Sequence, residues 1–203
     1  MKYLESITLA GSHAKGTALR DSDIDLFLRY SPETPGPISA IQTSLADRFH
    51  GQVRNVAVRI TYKGLTVDLV PARRRDTCDI LWQARFNTWL KTDIPLQIRY
   101  VRDSGLIDEI LALKIWRRRH ALRFPSFLME LAVIHALKPN HLIEEQFTSL
   151  LRFLATDFPT TRLLDPANSN NVVSDLLTPV EKLRIARRAA VSLGHSISFE
   201  PRL

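Results

Sequence analysis

The chain has 203 residues, of which 45% are hydrophobic, so a sizeable core can form. Its one cysteine, Cys78, excludes a disulfide framework within the chain and fits a reducing, cytoplasmic setting. No apolar stretch reaches the length of a membrane span, and the N-terminus lacks the pattern of a targeting segment. We therefore expect no membrane association.

The net charge of +7 is unevenly distributed along the chain. Residues 1–70 hold 8 Lys/Arg and 7 Asp/Glu, whereas residues 71–203 hold 20 and 14. An acid-bearing early part and a basic later part fit metal ions on one side and phosphates on the other. Solvated arginines on a basic protein would give the same numbers, so charge alone does not decide between the two.

The first part of the chain predicts an α/β arrangement. Alternation and β-rich composition indicate strands, a Lys63-Gly64 hairpin turn joins two of them, and helical spacing indicates one helix. The predicted strands are Ile7–Ala10, Asp23–Arg29 with one face against a core, Val53–Tyr62 and Leu65–Val70; the predicted helix is Ile38–Phe49, and Ser12–Ala18 is a short helical turn.

The later part predicts helices. Pro125 suits a first helical turn, and Thr178-Pro179 with Glu181 is typical of a capped helix start. The predicted helices are Pro95–Val101, Leu106–His120, Pro125–Lys138, His141–Ala155 and Thr178–Leu193. We expect two lobes, residues 1–92 and 93–203, with a ligand cleft between them.

Three carboxylates are candidates for chemistry. Asp23 and Asp25 lie two apart on a predicted strand and so leave the same face, while Asp68 lies on a second strand. If the strands are neighbours, the three acids converge, which is unfavourable without a cation. Mg²⁺ prefers such oxygen ligands, and two ions about 4 Å apart can hold the attacking and leaving oxygens of an in-line displacement.

A glycine-flanked turn, Gly11 to Thr17, follows the first predicted strand. Glycine lets backbone N–H groups approach a phosphate, and the Ser12 hydroxyl can donate to a phosphate oxygen. Each feature alone has an ordinary explanation: a Gly-Ser turn, a solvated Asp-x-Asp, or a hydrogen-bonded core acid at Asp68. Their combination in this order favours nucleotidyl transfer.

Gly11-Ser12 through Asp23-Ile24-Asp25-Leu26 resembles the signature of the polymerase-β nucleotidyltransferase superfamily. Further stretches resemble the branch that contains the oligoadenylate synthetases, the bacterial cGAS/DncV-like enzymes and the archaeal-type CCA-adding enzymes. These stretches are residues 67–72, 113–117, 125–131 and 165–172. The resemblance implies an α+β fold. Residues 1–92 would form a small mixed nucleotidyltransferase sheet with flanking helices, and residues 93–203 would form a helical lobe like the oligoadenylate synthetase C-terminal region. The active-site cleft would lie between the two lobes.

The resemblance also implies roles for the acids. Asp23 and Asp25 would bridge two Mg²⁺ ions, with Mn²⁺ as a substitute. Asp68 would bind the ion that activates the acceptor hydroxyl and help to remove its proton. Electrostatic stabilisation of the developing charge would then be the main catalytic effect.

Nucleotide-binding roles are implied for four further residues. Gly11 and Ser12 would hold the β- and γ-phosphates, Lys114 would neutralise the triphosphate, and Ser126 would donate to it. Lys114 as a surface lysine and Ser126 as a helix cap remain open interpretations, and Glu130 is interpreted as a structural hydrogen-bond partner.

The sequence departs from the family pattern in two places. Members usually have a helical segment before the first catalytic strand, whereas here the strand begins almost at Met1. We expect a fragment, a minimal version or a multimer, and exposed apolar surface would favour a homodimer. Gln97 stands where similar proteins often have a histidine, which can alter nucleotide preference or acceptor placement.

The expected function is transfer of a nucleoside monophosphate from a nucleoside triphosphate, ATP favoured, to a hydroxyl, with release of pyrophosphate. The product would be a signalling nucleotide or an oligonucleotide, with another nucleotide or RNA as the acceptor. Three alternatives stay open: addition to an RNA end such as a tRNA 3′ end, adenylation of a protein partner, and a catalytically silent nucleotide-binding scaffold.

Overall fold

The computed structural model describes residues 3–139 and 142–195. Contacts divide the chain into two compact units. The first comprises Met1–Arg99 with Pro166–Asn168, and the second comprises Tyr100–Asp165 with Ser169–Leu203. Within the described ranges, none of the helices is long and apolar enough to cross a membrane.

The first unit is built on a seven-stranded sheet. Its strands are β1 (Leu4–Ala10), β2 (Ile24–Tyr30), β3 (Gln52–Val53), β4 (Val58–Tyr62), β5 (Leu65–Arg75), β6 (Cys78–Gln83) and β7 (Thr88–Thr92). The helices are α1 (Gly11–Lys15), α2 (Ile38–Phe49) and the start of α3 (Ile94–Arg102).

The sheet is mixed. Its main path runs β1-β2-β5-β4-β3, and β6 pairs with both β5 and β7. Only β2 and β5 run parallel among these pairs; the other pairs are antiparallel. With helices on this sheet and helices in the second unit, the predicted α+β fold is confirmed.

Both faces of the sheet carry apolar side chains. Leu45 of α2 shares one buried cluster with residues of β2, β4 and β5, namely Leu28, Tyr30, Val58, Val67 and Leu69. Phe27 points the other way and is buried with Ala10, Ala72 and Leu81. The sequence predicts a single buried face for β2, but the strand has covered neighbours on both sides because β6 extends the opposite core.

Strand β5 continues past Pro71, where the sequence predicts the end of the strand region. Residues 65–69 pair with β4, residues 72–75 pair with β6, and residues 67–73 pair with β2 along the other edge. Pro71 therefore sits where β5 changes partners on one edge, a position at which a missing N–H costs no ladder bond on that side. Strands β6 and β7 were not predicted from the sequence.

The second unit is helical with a small two-stranded sheet. Its elements are the end of α3, α4 (Ile107–Arg119), α5 (Ser126–Ala136), α6 (Ile143–Thr156), β8 (Leu164–Asp165), β9 (Asn168–Val172, whose first residue belongs to the first unit), a 3₁₀ helix (Val173–Leu176) and α7 (Pro179–His195). Its core is fully buried and includes Leu113, Leu128, Leu150, Leu154 and Phe158.

All five predicted later helices are present, with bounds shifted by one to two residues where the structure describes them. The predicted start of the fourth at His141 lies outside the described residues. At the start of α7, the Glu181 N–H donates to Thr178 Oγ1 at 3.3 Å, and the Thr178 N–H donates to Glu181 Oε2 at 2.8 Å. These reciprocal bonds are a capping box, which confirms the predicted helix start.

Candidate active site

The register of four adjacent strands places a row of residues across the sheet. Ala10 of β1 pairs with Asp25 of β2, Asp25 pairs with Asp68 of β5, and Asp68 pairs with Arg59 of β4. Paired residues on neighbouring strands project from the same face at close range. Two of the three predicted acids therefore stand side by side, with an arginine next to them.

Asp23 joins the same cluster from the residue just before β2. Arg59 Nη2 donates to Asp23 Oδ2, and the same guanidinium donates to both oxygens of Asp68, at 2.8 Å from Nε and 2.7 Å from Nη2. The side chain of Asp68 is 14% exposed, against 38% for Asp23 and 35% for Arg59. One guanidinium thus bridges the outer carboxylate and the more enclosed one.

The environment of the cluster shifts the pKa of Asp25. Burial, together with the negative charges of Asp68 and Asp23, raises the pKa of its carboxyl to about 6. The positive charges of Lys15 and Arg59 partly oppose this increase in pKa. The hydrogen bonds to Asp68 raise the pKa of the Arg59 guanidinium, which stays charged at every working pH.

Gly11 is the point at which the backbone passes against Asp25. Its φ is +59°, and a Cβ placed there would lie 2.5 Å from the carboxylate carbon of Asp25 and 2.9 Å from its Cβ. Both the left-handed backbone and the close approach require glycine. Strand β1 can therefore turn directly into α1, whose second residue is Ser12.

The loop between α1 and β2 is held by its own polar groups. His13 Nε2 lies 3.2 Å from the Ser22 carbonyl oxygen, and the Leu19 N–H donates to Ser22 Oγ at 2.9 Å. The Thr17 N–H donates to the Ser12 carbonyl oxygen at 2.9 Å. These bonds fix the segment that leads into Asp23, which gives His13 a structural role.

The carboxylates of the cluster are possible ligands for a divalent cation. In the part of the chain that the structure describes, no group of three or more His, Cys, Asp or Glu side chains is arranged to hold a metal ion. The chemistry nevertheless fits, because carboxylate oxygens are the ligands that Mg²⁺ prefers. Burial and the nearby charges of Asp68 and Asp23 raise the pKa of Asp25, and a bound cation would oppose this rise. In the described arrangement, Arg59 supplies a positive charge to the acids.

Lys114 and Ser126 both lie in the second unit. Lys114 on α4 is only 2% exposed, and its Nζ lies 3.3 Å from Glu130 Oε1 on α5. Ser126 opens α5, and its Oγ accepts a hydrogen bond from Arg117 Nη1 at 3.4 Å. Lys114 is thus not a surface lysine, and Glu130 has the structural contact expected for it.

Arg59 was missed in the sequence analysis, although the sequence holds the signal for it. Counting outwards from the Lys63-Gly64 turn, Tyr62 opposes Leu65 and Arg59 opposes Asp68. A two-residue hairpin turn fixes this register. The pairing of Arg59 with a candidate acid therefore follows from the predicted turn alone.

A family model described as a nucleotidyltransferase domain matches residues 2–108, more than half of the chain. The chain belongs to the nucleotidyltransferase domain family. Members of this family generally use divalent metal ions.

In amino-acid sequence, the chain is similar to the CCA-adding enzyme of Methanoregula boonei, with 27% identity over 148 residues. The match covers 63% of this chain and 31% of the relative. The chain therefore spans about a third of the length of the curated relative that it matches.

Solved structures share the fold. The E. coli MS115-1 CdnC:HORMA-deltaN complex matches with a TM-score of 0.78 and 22% identity, over 98% of this chain and 79% of that chain. The Vibrio cholerae DncV cyclic AMP-GMP synthase, in complex with the linear intermediate 5′ pppA(3′,5′)pG, matches with a TM-score of 0.66 and 16% identity, over 97% and 64%. The resemblance to cGAS/DncV-like enzymes is confirmed at the level of the fold.

Proposed function

We propose that this protein transfers a nucleoside monophosphate from a nucleoside triphosphate to a hydroxyl group, in a metal-dependent reaction that releases pyrophosphate. The observation that carries the proposal is the pairing of Asp25 with Asp68 across parallel strands, with Asp23 in the same cluster and Gly11 against Asp25. Family membership supports the reaction class.

In this proposal the acids divide the work. Asp23 and Asp25 would hold both divalent cations, and Asp68 would bind the ion that activates the acceptor hydroxyl and would help to remove its proton. Two Mg²⁺ ions, or Mn²⁺ in their place, would supply charge neutralisation for the leaving pyrophosphate and lower the pKa of the acceptor hydroxyl. Gly11 lets the backbone approach the β- and γ-phosphates, and Ser12 donates to them.

The contributions of Lys114 and Ser126 to triphosphate binding also remain proposals. Lys114 already has a buried carboxylate partner in Glu130, so binding a triphosphate would require exchanging one anion for another. Ser126 has the Arg117 guanidinium as a neighbour, and the pair offers donors to an anion. Both proposals are tested by the effect of substitution on the KM for the nucleotide.

The product favoured here is a signalling nucleotide or short oligonucleotide, with a second nucleotide as the acceptor and ATP as the first donor to test. The fold likeness to a cyclic AMP-GMP synthase supports this product class. Addition to an RNA 3′ end is the second candidate, and the 27% identity to a CCA-adding enzyme favours it.

The experiment that separates these candidates offers each labelled nucleoside triphosphate with Mg²⁺ or Mn²⁺, in the presence and absence of RNA. Dinucleotide or longer products without RNA support synthesis of a signal. Labelled RNA ends, with no product when RNA is left out, support tailing. If no condition yields pyrophosphate, the catalytic proposal fails and a silent nucleotide-binding scaffold takes its place.

Three further expectations belong with the proposal. A homodimer is consistent with the exposed apolar residues Ile7 and Leu9 on the edge strand β1, and sedimentation analysis tests it.

Cytoplasmic location stays an expectation from the single Cys78. Adenylation of a protein partner is tested by transfer of label to protein in a cell lysate.

A further inference from the structure

The Arg59 guanidinium forms direct hydrogen bonds with two of the three acids. It uses Nε and Nη2 on the two oxygens of Asp68 and Nη2 again on Asp23. These are three of the six carboxylate oxygens that the three acids offer. Fork-shaped, charge-assisted contacts of this kind are among the stronger hydrogen bonds in proteins.

The position of Arg59 is set by the sheet, but its side chain is not enclosed. The Lys63-Gly64 turn and the antiparallel β4–β5 pairing hold its backbone opposite Asp68. The side chain is 35% exposed, so the guanidinium has solvent to move into if it leaves the acids. A long, flexible arginine can swing out without any change in the strand.

We propose that the Arg59 guanidinium competes with divalent cations for the carboxylate oxygens of Asp23 and Asp68, so that metal binding requires Arg59 to be displaced. The proposal rests on the metal site of the proposed function. Under this competition, Arg59 neutralises the negative charge of the carboxylates before the metal binds, and it thereby lowers the apparent affinity of the site for metal.

The physical reason is that the two cations need the same oxygens. A guanidinium has five donors and no acceptor, so it cannot itself ligate a metal, and it repels one at contact distance. A metal bound by Asp23 and Asp68 through the oxygens that Arg59 now contacts would face that repulsion directly. Metal binding therefore exchanges the guanidinium for the metal ion on these oxygens. Asp25 lies beside Asp68 and offers a further carboxylate.

A purely structural role for Arg59 predicts the opposite result. If Arg59 serves only to hold Asp68 in a binding orientation, its removal loosens the site and weakens metal binding. If Arg59 competes, its removal strengthens metal binding. The sign of the change in affinity separates the two roles.

The test is a titration of nucleotide-free protein with Mn²⁺, followed by electron paramagnetic resonance of the free ion. Arg59→Met keeps most of the aliphatic stem and removes the guanidinium, and we expect it to bind Mn²⁺ about tenfold more tightly than the unaltered protein. Arg54→Met is the matched control, since Arg54 is an exposed arginine of the same unit. It removes the same charge and should change the affinity less than about twofold.

The outcomes separate this inference from the proposed function. Mn²⁺ binding that Asp25→Asn abolishes establishes the metal site. Equal or weaker binding by Arg59→Met then overturns the competition and leaves the metal site intact. If neither the unaltered protein nor any variant binds Mn²⁺, both proposals are overturned.

A second measurement needs no loss of the arginine and covers the case in which Arg59→Met fails to fold. The Nε–H resonance of Arg59 in the unaltered protein, assigned by its loss in Arg59→Lys, should exchange slowly with water while it is bound to Asp68. Adding Mg²⁺ should shift this resonance and speed its exchange. A resonance unchanged at saturating Mg²⁺ overturns the proposal.

Discussion

Asp25 has a strongly raised pKa in the candidate site. Burial and the charges of Asp68 and Asp23 disfavour its ionised form, so its pKa in the folded protein is about 6 against an ordinary value of 3.8. The folded state therefore binds a proton more tightly than the unfolded chain does. Stability from this group is fully present below about pH 4 and is lost as the pH rises through 6.

The first prediction concerns this pH dependence. In EDTA, the Asp25 carboxyl should lower the free energy of unfolding by about 1–2 kcal/mol between pH 4 and pH 7. The full shift in pKa would give ~3 kcal/mol, but partial exposure to solvent reduces it. Urea unfolding of Asp25→Asn, which cannot ionise, should show the variant gaining stability relative to the unaltered protein as the pH rises.

The matched control for that prediction is Asp47→Asn on the exposed side of α2. Its stability difference from the unaltered protein should stay nearly constant over the same range. A difference for Asp25→Asn that is flat from pH 4 to pH 7, or that falls, would show that Asp25 is not buried beside its neighbouring carboxylates.

The second prediction concerns the close approach at Gly11. Gly11→Ala should abolish turnover and destabilise the first unit by about 2–4 kcal/mol, because a Cβ there collides with Asp25 in a backbone conformation that alanine avoids. Gly64→Ala is the control, with a φ of +79° and no atom within 4 Å of the added Cβ.

Gly64→Ala should cost only the backbone strain, about 1 kcal/mol, and keep its activity. Thermal unfolding and pyrophosphate release measure both variants. An active Gly11→Ala variant would mean that the backbone does not need to pass against Asp25.

The residues of the site were partly predictable from the sequence. Asp23, Asp25 and Asp68 follow from strand alternation and spacing. Glycine at position 11 was expected for approach to a phosphate, whereas the close approach of its backbone to Asp25 was not predicted. Arg59 was missed because a lone arginine on a strand is usually solvated, and its contacts emerge only when the hairpin register is followed across to Asp68.

At the level of elements, local signals predicted most of the framework. Helix α2 has the predicted bounds, Ile38–Phe49, and Thr178 with Glu181 caps α7 as expected. Strands β6 and β7 were missed because their place in the sheet depends on pairing beyond Pro71. Local propensity treats a proline as the end of a strand, whereas the change of strand partner that accommodates it here is a tertiary feature.

The third prediction concerns the ion pair between α4 and α5. Lys114→Met should destabilise the second unit by about 3 kcal/mol, because it leaves the Glu130 carboxylate buried without its cation. The double variant Lys114→Met with Glu130→Leu should recover part of that loss, since it removes both charges. Urea unfolding of the two variants gives the comparison.

Kinetics of the same variants test the proposed nucleotide role of Lys114. Exposed Lys138→Met, in the same unit, is the control for the loss of a positive charge. A role in binding the triphosphate predicts a KM for the nucleotide raised about tenfold in Lys114→Met and in the double variant. A KM that returns to normal when stability is restored would assign Lys114 to the core alone.

For the whole molecule, composition and spacing predicted the order of an α/β part and a helical part, and the fold bears this out. The structure has two compact units with a boundary near residue 99. The lobes expected from the sequence, residues 1–92 and 93–203, stay a prediction. The product is less accessible to sequence reasoning, because the proteins that this chain resembles include both a cyclic AMP-GMP synthase and a CCA-adding enzyme. Acceptor choice depends on surfaces that pattern and spacing do not specify.

The central claim is that the acids on the sheet carry nucleotidyl transfer. Its most direct test is pyrophosphate release from nucleoside triphosphates by Asp23→Ala with Asp25→Ala, beside the unaltered protein, after circular dichroism has shown the same fold. We predict Mg²⁺-dependent release by the unaltered protein and none above background by the double variant. Turnover retained in a folded double variant would contradict the account.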